Sequence, residues 1–206
     1  MPSQTSAKPA RRTQADRSAT TRDALVAAAR RLFAEQGFGE VPTDAIVAAA
    51  GVTRGALYHQ FVDKTALFEA VFEAVEADVA RRLAETVASA GVSDPLAALR
   101  HAERAWLDIC VEPEIHRIAL VDGPSVLGWT HWRELCQRHV FGLVQDVLAQ
   151  GIELGLVSAQ PVRPLTHVIM GASDEAGLYV AEAADRPLAR AEMIAVLDRL
   201  IDGVTA

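Results

Sequence analysis

The sequence predicts an all-α chain, with an N-terminal helix-turn-helix unit of three helices and a larger helical C-terminal region. Three observations carry that expectation. Alanine appears 38 times in 206 residues while aromatics make up 5%, and stretches rich in Ala but poor in Val and Ile favour helix over strand. Apolar residues recur at helical spacing, and no stretch shows the period of two expected of strands. Pro113, Gly123-Pro124, Pro161, Pro164 and Pro187 punctuate the chain where helices should begin or end. The length is enough to bury a sizeable core. Apolar runs fall short of the ~18–20 residues of a membrane span, and the opening MPSQTSAKPARRTQADR lacks the apolar centre of a signal peptide. The expectation is a cytoplasmic chain with no membrane partner. Cys110 and Cys136 are the only cysteines, so no disulfide framework holds the fold.

The elements follow in order. Residues 1–18 are polar and without periodicity, which reads as a disordered arm. Thr20 with Asp23 resembles a capping box opening the first helix, where Leu25, Ala28, Ala29, Leu32 and Phe33 share a face and Gly37 supplies the C-terminal cap. A short helix over 43–50 packs through Ile46, Val47 and Ala50. Gly51-Val52 then turns tightly, and Thr53 caps a third helix over about 54–60 that turns Leu57 inward and Arg54, Tyr58 and His59 outward. Two short helices joined by such a turn outline a helix-turn-helix. Asp63 caps a fourth helix reaching about residue 88, with Leu67, Phe68, Val71, Phe72, Val75 and Val79 as one stripe. Further helices are expected over 95–111, 114–121, 130–154, 164–184 and 188–204. The domains are thus a head over 19–66 and a body over 67–206.

Net charge is −7, which by itself argues against a nucleic-acid partner. The charge is unevenly spread. Residues 1–66 hold nine Lys and Arg against six Asp and Glu, or +3; the remainder holds eleven against twenty-one, or −10. Such asymmetry suits two modules with different partners.

The stretch T-D-A-I-V-A-A-A-G-V-T-R-G-A-L-Y-H-Q-F-V-D-K-T-A-L-F over 43–68 resembles the DNA-binding domain of the tetracycline-repressor (TetR) family of transcriptional regulators. Ile46, Ala50-Gly51-Val52, Gly55, Leu57-Tyr58, Phe61, Lys64 and Leu67 carry the match, and Phe33, Gly37 and Phe38 fit the lead-in. The resemblance implies that Thr43, Thr53, Arg54, Gly55, Tyr58, His59 and Lys64 contact double-stranded DNA at a palindromic operator. The residue chemistry agrees. Gly55 lets backbone approach DNA closely, Arg54 can donate a bidentate pair to guanine, and Lys64 begins a helix whose dipole favours phosphate. Two departures stand out. Val41-Pro42 replaces the hydroxyl residue common in relatives, leaving capping to Thr43, and Asp44 and Ala48 occupy positions often basic or polar. Lys8, Arg11, Arg12 and Arg17 either reach a minor groove or form a solvated leader.

A head of this kind needs two copies to read a palindrome. Val168, Ala172, Ala176, Tyr179, Ile194, Leu197 and Ile201 on the last two helices are the expected homodimer interface, matching the family's four-helix arrangement; the same stripes also serve a subunit's own core. For a small apolar or aromatic effector the expected pocket residues are His101, Trp106, Cys110, His116, Trp129 and Trp132, since all three tryptophans fall between 106 and 132; the helix packing that the resemblance implies adds Phe141, His167, Met170 and Asp174. Each residue also reads as plain core, and Asp174 as a partner of Arg138. Cys136 and His139 with His131 are too weak a pattern for a metal, and nothing visible activates Cys110 or Cys136 for redox chemistry. No cofactor motif, phosphate loop, G-x-S-x-G or H-E-x-x-H occurs, so no enzymatic activity is expected. The expected function is an effector-released repressor, the alternatives being an activator on the same scaffold or a helical protein-interaction module.

Overall fold

The computed structural model describes residues 14–205. Among these, nine helical segments follow one another. They are α1 (Gln14–Gln36), α2 (Thr43–Ala50), α3 (Arg54–Gln60), α4 (Lys64–Ala90), α5 (Pro95–Ile109), α6 (113–127), α7 (129–153), α8 (Val162–Glu182) and α9 (Arg186–Asp202). No strand occurs among the described residues; Val157 and Thr205 form one isolated bridge.

Local chemistry explains most boundaries. Gly51 takes φ 66°, a left-handed conformation that costs a glycine nothing, and its N–H donates to the Ala48 carbonyl as α2 ends. The side chains of Thr53, Asp63, Asp94 and Asp185 each accept a backbone N–H in the first turn of α3, α4, α5 and α9. Pro164 and Pro187 sit inside first turns, where a missing N–H is harmless, so α8 and α9 begin two residues earlier than expected.

Two expectations are corrected. Residues 14–18 belong to α1 rather than to an arm, and Thr20 is no cap. Its hydroxyl donates back to the Asp16 carbonyl at 2.8 Å, and Ser18 accepts from Gln60 Nε2 at 2.7 Å, so tertiary contact extends the helix. Residues 1–13, including Lys8, Arg11 and Arg12, lie outside the described residues. Gly123-Pro124 does not end α6 either. His116–Asp122 is wound as π-helix, and Pro124 falls in the first turn of the α-helix that resumes at Gly123. A second π-helical stretch, Gln137–Phe141, interrupts α7.

One apolar core runs from head to body. Leu25, Phe33, Ile46 and Leu57 of the three-helix head join Phe68, Phe72 and Val75 of α4, Ile109 of α5, Ile115 and Ile118 of α6, and Trp132 and Leu135 of α7. Two smaller clusters fill the body. Leu96, Leu148, Leu165 and Ile201 form one; Leu107, Cys110, Ala176, Val180 and Leu197 form the other. α4 crosses the expected domain edge at residue 66 without a break.

Candidate nucleic-acid interface and effector cavity

Leu57, fully buried, anchors α3 to the head, which turns Thr53, Arg54, Gly55, Tyr58 and His59 to the surface. Arg54 lies 3.3 Å from Asp44 of α2 and 5.8 Å from the centre of the Tyr58 ring, so the two helices together hold the guanidinium outward. A Cβ at Gly55 would meet nothing nearer than Thr53 Oγ1 at 3.9 Å, leaving the start of α3 open to close approach. Thr43 is the first residue of α2 rather than its cap. Pro42 holds the cap position and offers no side-chain hydrogen bond, which leaves the first amides of α2 without a side-chain partner.

Lys64 also has a structural role within the head. Its Nζ donates to the carbonyls of Phe38 at 2.8 Å and Val41 at 3.0 Å, and lies 4.2 Å from the Phe38 ring centre. Two of its three donors are thereby committed to closing the α1–α2 loop against α4. Lys64→Met is expected to lower stability by about 1.5–3 kcal/mol, the range for hydrogen bonds to a charged group. Paired urea titrations check this; an unchanged midpoint would mean that the two carbonyl contacts contribute nothing.

The head is tied to the body by charge as well as by core. Arg30 of α1 makes a bidentate pair with Glu114 of α6 at 2.8 and 2.7 Å. That hydrogen-bonded pairing, ahead of the nearby Asp78, holds the guanidinium proton above its usual affinity despite partial burial. The Phe38 N–H donates to Asp122 Oδ2 at 2.8 Å, and Arg82 of α4 pairs with Glu112 beside the start of α6.

Two cavities open in the body. The larger, about 420 Å³, lies between α4, α5, α7 and α8, walled by Val79, Leu83, Leu99, Trp106, Val144 and Met170. Glu103, Asp146 and Asp174 are its charged residues. The smaller, about 230 Å³, is lined by Leu120, Trp129, Trp132, Phe141 and His167, and shares Met170 and Asp174 with the first. Trp106 Nε1 donates to the Ser173 carbonyl at 2.8 Å and Trp132 Nε1 to the Ala119 carbonyl at 3.1 Å, so both indoles are fixed by helix backbone.

Seven of the ten expected pocket residues line these cavities: Trp106, Trp129, Trp132, Phe141, His167, Met170 and Asp174. Three do not. His101 is exposed, with Nδ1 2.8 Å from the Ala97 carbonyl; Cys110 is fully buried in the α5–α8–α9 core; His116 Nε2 is buried without a partner, away from both cavities. The paired partner of Arg138 is Glu73 at 2.7 Å, while the cation bearing on Asp174 is Arg133. Sequence reasoning passed over Glu103 and Glu76, although both sit on buried stripes, between Leu99 and Leu107 and between Phe72 and Val79. Burial raises Glu103 to about 7, with Ser173 opposing and Asp174 adding to the shift; burial also lifts Asp174 to about 6. Burial pushes the Cys110 thiol up to about 12 and Cys136 higher still, so neither is a ready thiolate. Among the described residues no group of three His, Cys, Asp or Glu could hold a metal.

The expected interface residues divide. Val168 and Tyr179 are exposed, at 67% and 50%; Ala176, Leu197 and Ile201 instead face the subunit's own core, with Ala172 and Ile194 half-buried against it. Leu188, Val196 and Leu200 form the outward stripe of α9. Both helices are apolar on more than one face, so spacing alone could not separate the inner stripe from the outer one.

Comparison with known proteins agrees with this architecture. Residues 25–71 match the family model for bacterial regulatory proteins of the tetR family, and residues 96–204 match a tetracyclin repressor-like C-terminal domain. A TetR-family transcriptional regulator from Pectobacterium atrosepticum is 35% identical, with a TM-score of 0.80 over 95% of this chain and 98% of that one. The HTH-type transcriptional repressor AcnR of Corynebacterium efficiens is 35% identical over 125 residues, 61% of this chain and 64% of its own. RolR in complex with resorcinol shares the fold at 22% identity and a TM-score of 0.70, over 89% and 90% of the two chains. No helix among the described residues is long and apolar enough to cross a membrane. The chain belongs to the TetR family and is a transcriptional regulator, not an enzyme.

Proposed function

We propose that this protein is a repressor that binds a palindromic operator as a homodimer and leaves it when a small effector with an apolar or aromatic body enters the larger cavity. The observation that carries the reading is the outward row of Arg54, Tyr58 and His59 on α3. None of these side chains packs in the core, and α3 rests on a buried Leu57 in the second position of a helix-turn-helix. Two heads read successive major grooves when their α3 helices stand ~34–36 Å apart. The outward stripes of Val168 and Tyr179 on α8 and of Leu188, Val196 and Leu200 on α9 supply an apolar face for the second subunit.

Release needs a route from cavity to head, and two are available. α4 contributes Val79 and Leu83 to the cavity wall and begins at Lys64 against the α1–α2 loop. α6 contributes Leu120 to the second cavity and holds α1 through Glu114 and the loop through Asp122. An effector that favours a different packing of these helices over the DNA-competent one shifts the dimer toward it, by no more than its difference in affinity for the two states.

Competition binding tests the reading, using a palindrome from the DNA flanking this chain's coding region. Arg54→Ala is expected to reduce preference for the palindrome over a scrambled duplex by about ten- to a hundredfold, while sequence-independent binding at low salt persists. Equal affinity of the unmodified protein for both duplexes would instead leave a helical interaction module that does not read DNA.

A further inference from the structure

The charge of the larger cavity is one-sided. Apart from Ser173 its wall is apolar save for three carboxylates, Glu103, Asp146 and Asp174, with no Lys, Arg or His among the lining residues. Glu103 is 8% exposed; its Oε1 accepts from Ser173 Oγ at 2.8 Å, and its Oε2 is buried with no hydrogen-bond partner. A buried, unpartnered carboxylate oxygen is costly, and natural cores satisfy the large majority of such atoms. Asp174 stands next to Ser173 on α8, and Trp106, whose indole face can attract a cation, completes that end of the cavity.

We infer that the effector is an organic monocation, an apolar or aromatic body bearing a protonated or quaternary amine, whose charge lies between Glu103 and Asp174 against the Trp106 ring. The inference rests on the effector reading given above and narrows it to a ligand class. A neutral ligand of the same shape fills the apolar volume but leaves the Glu103 oxygen unpaired, and an anion adds like-charge repulsion from three carboxyls. The burial that lifts Glu103 and Asp174 toward neutrality is the penalty a bound cation offsets. Arg133, the cation that bears on Asp174, lines only the second cavity, so it neutralises Asp174 in part and leaves Glu103 without a counter-charge.

Three probes of matched shape test this on the full-length protein by calorimetry and by quenching of tryptophan emission. They are 3-phenylpropyl trimethylammonium, its carbon isostere with a tert-butyl group in place of the ammonium, and 4-phenylbutyrate. The cation is expected to bind about tenfold or more tighter than the isostere, with the anion weakest. Glu103→Gln is expected to bring cation and isostere to within about threefold of each other while the isostere's own affinity is unchanged. Asp174→Asn provides the same comparison should Glu103→Gln fail to fold. An isostere or anion that binds unmodified protein as well as the cation does overturns the charge assignment and leaves the cavity as an effector site. Failure of all three to bind the unmodified protein overturns the effector reading itself.

Discussion

Phe68→Ala is expected to cost about 3–5 kcal/mol, a large part of the stability of a domain this size. The ring is fully buried and lies 5.5 Å from the Phe33 ring and 5.3 Å from that of Phe38, which are themselves 5.6 Å apart. These three aromatics come from α1, the α1–α2 loop and α4, so removing the α4 ring forfeits its transfer energy, its ring contacts and the support of the loop that Lys64 closes. Equilibrium urea unfolding checks it, and the midpoint should fall with little change in slope. A loss below about 1 kcal/mol would mean that the site collapses around the deletion.

Glu76→Gln is expected to act in the opposite direction. Burial, with Asp174 adding to it, raises the Glu76 carboxyl from 4.5 to about 8. Between those values the folded chain keeps the proton that the unfolded chain has released. Stability therefore falls as pH rises from about 4.5 toward 8 and levels off above it. Glutamine removes that penalty. The variant should match the parent near about pH 5 and exceed it by roughly 3 kcal/mol near about pH 8. Chemical denaturation at the two pH values decides the matter, and a gap that does not widen with pH would show that the carboxyl ionises freely in the folded protein.

Most of the head was legible because short-range chemistry writes its boundaries. The expected limits of α2 and α3 are the observed ones, set by Gly51 and the Thr53 cap. α1 and α6 were misjudged because their limits depend on distant partners. Ser18 is held by Gln60, and the π-helical stretch lets α6 pass through Gly123-Pro124. The cavity was partly legible. Gathered tryptophans pointed to the right region, but periodicity assigns a face and not the neighbour beyond it. His101, within α5, and Cys110, which caps its C-terminus, therefore flank Trp106 yet end in solvent and in core. Glu103 was the stronger signal, an acid placed where the stripe called for a hydrocarbon.

The continuous core that joins the head to the body limits how this regulator could be recombined. Leu25, Phe33 and Leu57 share one buried cluster with Phe68 and Phe72 of α4 and with Ile115 and Ile118 of α6. A graft that moved residues 14–66 onto another body would carry half a jigsaw, with its lower face cut to these particular neighbours. The transferable cassette is the set of side chains that interlock across α4 and α6. An engineer exchanging operator specificity would do better to change the exposed row on α3 and leave the segment boundary alone.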